Sequence, residues 1–121
     1  MTPLITPGEL EKIGVSQLEL LQKFNEQLIK DFERGGVEHY LKPLSSFDYA
    51  TIHEEISKTL SDILTKESGK YQQLLYLIDI PEKDYNLALN KHEDIKMQSI
   101  TDLIIKRILQ KVVLKLMYSK K

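Results

Sequence analysis

The stretch Ile104-Ile105-Lys106-Arg107-Ile108-Leu109-Gln110-Lys111-Val112-Val113-Leu114-Lys115-Leu116-Met117 decides the fold. Two apolar rows run through it at steps of four: Ile104, Ile108, Val112, Leu116 beside Ile105, Leu109, Val113, Met117. Residues four apart share a helix face, so the segment predicts a helix with a wide apolar stripe. Lys106, Arg107, Gln110, Lys111 and Lys115 take the remaining arc or its border. A stripe of that breadth has to be covered, by the rest of the chain or by another one.

The other 107 residues offer that cover. A chain of 121 residues suits one domain, 1–121, and buries roughly two-thirds of its unfolded surface without a disulfide or metal. It contains no cysteine, which excludes structural disulfides, thiolate nucleophiles and cysteine zinc sites. Residues 1–5 lack a basic start followed by an apolar run, so no signal peptide is expected. No apolar stretch approaches the ~20 residues of a membrane span. The cytoplasm is the expected location, with no membrane partner.

Charge is unevenly placed. From Ile95 onward the chain carries net +6, with Asp102 the one acid, while the preceding ninety-four residues carry net −7. Such a split suits a basic arm for nucleic acid. It equally suits an acidic body docking its own basic helix, with lysines favoured towards a helix C-terminus.

Helix starts punctuate the body. Thr6-Pro7-Gly8-Glu9 forms a capping box with proline at the first helical position, and predicts a short helix over 7–13 that ends at Gly14. Ser16-Gln17-Leu18-Glu19 repeats the device and opens a helix over 17–34, with Leu21, Phe24, Leu28 and Phe32 as its seam. Gly35-Gly36 stops it. Residues 37–44 receive no assignment, because Lys42-Pro43 disfavours continued helix. Ser45-Ser46-Phe47-Asp48 predicts a start for a helix over 46–67, ended by Ser68-Gly69. Short helices follow over 70–79 and 81–89, separated by Asp79-Ile80-Pro81-Glu82, and the last helix spans 91–118. The fold class is therefore all-α: a single bundle of three long helices with short ones as struts.

Motifs for chemistry are sparse. His53 has Tyr49, Ala50, Ile56 and Ser57 at the positions where a helical metal site needs ligands. His39-Tyr40 follows the glycine pair and could share a proton relay, but no third member is visible. His92 precedes Glu93-Asp94, acids that suit a helix start. Carboxylate pairs such as Glu54/Glu55 lie on polar faces, and no phosphate loop, nucleophile elbow or calcium loop occurs. The expectation is no enzyme and no cofactor. An enzyme centred on His39, Tyr40 and His53 is the second alternative.

Arg107, Lys111 and Lys115 align at steps of four as a basic ridge, where they could meet phosphates or an acidic protein surface. Nucleic-acid readers usually add stacking aromatics or a helix-turn-helix, and only Tyr118 is near. Leu103 and Leu114, eleven residues apart, fall on nearly the same face beside Arg107, outside the main stripe. Apolar anchors rimmed by basic residues describe a protein interface, unless the short helices at 70–89 wrap that side.

Leu75-Tyr76-Leu77-Ile78-Asp79-Ile80-Pro81-Glu82, with Leu103-Ile104-Ile105-Lys106-Arg107-Ile108-Leu109-Gln110-Lys111-Val112 downstream, resembles the C-terminal part of certain short, all-helical bacterial proteins of unknown function. The similarity covers residues 70–118, with Leu77 where that pattern has a basic residue. The resemblance implies a helical bacterial protein without a known catalytic role, and supplies no active site.

Taken together, the residues point to a protein–protein interaction module or homo-oligomer. Its expected contacts lie on the last helix at Leu103, Arg107, Lys111, Leu114 and Lys115. Nucleic-acid binding through the basic ridge is the first alternative.

Overall fold

The computed structural model describes residues 11–42, 44 and 48–119, and every regular element among them is helical. Residues 11–13 are helical and stop at Gly14, whose φ of 79° is the left-handed geometry glycine accepts at a helix end. The expected start of that helix, at residues 7–10, lies outside the described residues.

Helix α1 spans Gln17–Arg34, the bounds its caps predict. The Ser16 hydroxyl accepts the Glu19 N–H at 3.1 Å, filling one orphan donor of the first turn. At the far end Gly36 takes φ 72°, and the Val37 N–H reaches back to the Phe32 carbonyl at 3.0 Å. This closure delivers Val37 into the core, fully buried. The unassigned stretch then forms a single 3-10 turn, Glu38–Tyr40. Leu44 is buried beyond it, and Tyr40 and Leu41 pack against the core. Sequence periodicity is blind to a turn held by isolated apolar contacts.

Helix α2 runs Tyr49–Lys66, three residues later than the expected start. Asp48 is its cap, the carboxylate accepting both the Thr51 N–H and the Thr51 hydroxyl; Ser45, the expected cap, lies outside the described residues. The aspartate read as the far end of a capping box is itself the N-cap. Helix α3 covers Ser68–Ile78, so Ser68-Gly69 does not separate two helices but forms the first turn of the second. The break is the one residue Glu67 (φ −145°, ψ 67°). Its carboxylate accepts the Tyr40 hydroxyl at 2.8 Å and pairs with Lys70 at 3.2 Å, pinning the corner. Helix α4 is Glu82–Leu89, entered through Pro81.

Helix α5, Glu93–Ser119, is one continuous rod of 27 residues, about 40 Å long. It packs against α1, α2, α3 and α4. Ile104, Ile105 and Ile108 are fully buried, and each stabilises the fold by about 2 kcal/mol. A row of steps of four advances about 40° per step around a helix of 3.6 residues per turn, so it cannot stay on one side. The row starting at Ile104 crosses the buried arc and remains inside through Val112 and Leu116. The row starting at Ile105 leaves it: Leu109 and Val113 are half-buried, and Met117 is 57% exposed.

The same drift turns the basic ridge inward against α1. Lys111 keeps 16% of its side-chain exposure and donates to Asp31 at 2.9 Å, an aspartate that is 1% exposed. The Asp31 carboxylate also accepts from Gln27, whose own carbonyl oxygen accepts from Lys115. A buried charge left without its partner is costly. Lys111→Met is therefore expected to destabilise the protein by about 3 kcal/mol, read from urea unfolding. Asp31→Leu combined with Lys111→Met should recover most of that loss.

Candidate functional site

The five residues expected to meet a partner do not form one surface. Lys111 is committed to Asp31 inside the α1–α5 interface. Lys115 lies on the same side and donates to Gln27. Leu103 is half-buried and packs against the main core, while Leu114 is 43% exposed. Arg107 keeps 24% of its side-chain exposure, with Nη2 on the Asp79 carboxylate at 3.3 Å and Nη1 on Gln110 at 2.9 Å. Asp79 caps α3 in the left-handed conformation (φ 65°), which aspartate tolerates better than most residues. The turn between the short helices thus brings an acid onto the ridge.

Leu103 and Arg107 instead belong to a groove along the outer side of α5. Among the described residues it leaves an open volume of about 820 Å³. Its apolar wall is built from Ile13, Ile80, Leu103, Leu109, Val113 and Met117. Lys12, Lys106 and Arg107 supply positive charge at its edge, against Asp84, the single acid among its described lining residues. The floor exists because the second apolar row of α5 has rotated out of the core. Arg107 Nε is buried with no acceptor, so this guanidinium has incomplete bonding where it borders the groove. Sequence periodicity missed the groove because Leu109, Val113 and Met117 read as core.

The histidines do not converge. The His39 ring lies 4.4 Å from that of Tyr40, whose hydroxyl is held by Glu67 at the end of α2. His53 sits fourteen residues earlier along α2, about 20 Å away. Its Nε2 is 3.3 Å from Asp102 and 3.2 Å from the Gln98 carbonyl. Tyr49 also donates to Asp102, so one carboxylate ties two α2 side chains to α5. Ser57, one turn beyond His53, has its hydroxyl 2.9 Å from that of Thr101, not set against the imidazole as a nucleophile would be. No group of His, Asp and Glu among the described residues is placed to hold a metal. The Asp102 latch is legible only in hindsight, as the one acid in a basic segment.

This latch and the core bury phenols with consequences at high pH. Burial, the Asp102 hydrogen bond and its charge push the Tyr49 phenol up, in that order. Burial, then the neighbouring Tyr85, pushes Tyr71 up to about 12. Both groups ionise more readily unfolded, so stability falls as pH rises from about 10 towards the folded values. The Tyr71 share is about 2–3 kcal/mol. Tyr71→Phe and Tyr49→Phe should each flatten that alkaline loss, measured by urea unfolding at stepped pH.

No helix among the described residues is long and apolar enough to cross a membrane. No family model, no curated protein and no solved structure matches the chain.

Proposed function

We propose that this chain is a non-enzymatic protein-interaction module, and that the outer groove of α5 receives an amphipathic segment carrying acidic residues along its edges. The observation that supports this reading is an apolar trough of about 820 Å³ bordered by Lys12, Lys106 and Arg107. Helix-in-groove recognition needs this combination, apolar anchors in a concave wall and charges that fix orientation. Because Arg107 already meets Asp79, the cations at the edge that a partner's carboxylates would meet are the exposed Lys12 and Lys106.

Charge complementarity favours an acidic partner over a second copy of this chain. A two-fold dimer through the groove would set the same rim against itself, placing Lys106 and Arg107 near their own counterparts. The nucleic-acid alternative loses support from the ion pairs already made by Arg107 and Lys111, since those cations meet carboxylates of their own chain.

The test is an NMR titration with a synthetic helical peptide bearing leucines at steps of three and four, flanked by glutamates. Amide shifts should map to Ile13, Leu103, Val113 and Met117. Met117→Glu or Lys106→Glu, both at exposed positions, should weaken binding roughly tenfold. Absence of shifts with such peptides at about 1 mM, or shifts confined to another face, contradicts the proposal.

A further inference from the structure

A second concave site lies across α5, between it and α1. It encloses about 340 Å³ and is lined by Lys23, Glu26, Gln27, Lys30, Lys115 and, on its apolar side, Val112 and Leu116. Its charges do not balance. Lys23 pairs with Glu26 at 3.6 Å, and the nearby Lys111 pairs with Asp31. That leaves Lys30 and Lys115, which line the same cleft from α1 and α5. The hydrogen-bond partner of Lys115 is the neutral Gln27.

Two ammonium groups have donors only and no acceptor between them, so their approach is repulsive in the unliganded protein. The Lys115 ammonium is held below its ordinary value, by burial first and then by Lys30, with Asp31 acting in the opposite sense. An anion set between the two would give both a shared, charged acceptor, where Lys115 has only the neutral Gln27, and offset both charges. A carboxylate offsets one. A phosphate group carries close to two negative charges near neutral pH and offers three acceptor oxygens, enough for both lysines.

We propose that this α1–α5 cleft is a binding site for a phosphate group, with Lys30 and Lys115 as its paired ligands. Val112 and Leu116 close the floor of the cleft and are themselves buried, so the apolar flank open to an organic body attached to the phosphate is the methylene stems of the lining lysines above that floor. The ligand class is thus a small phosphate monoester in preference to free phosphate. The site shares no lining residue with the outer groove, so it stands or falls separately from the proposed interaction surface.

The experiment is an NMR titration of the whole protein with inorganic phosphate and with phenyl phosphate, at about 0.15 M ionic strength to screen diffuse attraction. Saturable shifts centred on Gln27, Lys30, Val112 and Lys115 are expected, with phenyl phosphate binding more tightly than inorganic phosphate. Lys115→Gln and Lys30→Gln should each weaken binding roughly tenfold. Both lysines are solvent-exposed, so the variants are expected to fold, which circular dichroism checks. As a second measurement, phenyl phosphate should raise the melting temperature of the original protein and not that of the double variant. Equal binding of the two probes would overturn the assignment of the apolar flank. Non-saturating shifts spread over surface lysines, or an affinity unchanged by Lys115→Gln, would overturn the site itself.

Discussion

The angular advance of α5 governs what this protein can present. With 3.6 residues per turn, side chains at steps of four spiral slowly around the helix, and only a limited arc can face the core. The chain places apolar residues on two such spirals and basic residues on a third. As a result an apolar spiral exits onto the outer surface at Leu109, Val113 and Met117, while the basic spiral enters the α1 interface at Lys111. Groove, buried ion pair and lysine cleft all follow from one helical phase.

That phase is itself fixed by contacts of different character. Ile104, Ile105 and Ile108 supply most of the driving force, because burial of apolar surface is large and non-directional. Non-directional contacts tolerate rotation. The Lys111–Asp31 pair and the Tyr49–Asp102 bond do not, since both require donor and acceptor to meet at one angle. One polar tie links α5 to α1 and the other links it to α2. Polar ties of this kind contribute less to net stability than to the choice of one packing among several. The asymmetry of charge in the sequence finds its meaning here: part of the acidic body docks its own basic helix, through Asp31 on Lys111 and Asp79 on Arg107.

Much of the fold is legible in the residues because local signals agree with tertiary ones. Ser16 and Gly35-Gly36 bound α1 by capping chemistry alone. Where two signals compete, spacing cannot choose between them: Ser45 and Asp48 are both good caps, and the structure uses Asp48. Ser68-Gly69 reads as a break, yet it lies within α3, since the corner at Glu67 is fixed by Tyr40 and Lys70 from elsewhere. The groove was less legible still. Its floor looks like core in any periodic reading, and its edges come from Lys12, Ile13 and Pro81, remote in sequence from the helix they flank. Pairing across such distances leaves no trace in local pattern.

The phase of α5 can be measured directly, because a chain without cysteine gives no background to thiol labelling. Single variants Ile108→Cys, Val112→Cys and Met117→Cys would be labelled under native conditions and compared with an unfolded control. The account predicts labelling at 117 close to the unfolded rate, with 108 and 112 protected by at least about a hundredfold through the stability of the surrounding core. Comparable rates at 108 and 117, or protection of 117 with ready labelling of 112, would mean that the helix is rotated or broken, and the account would be wrong.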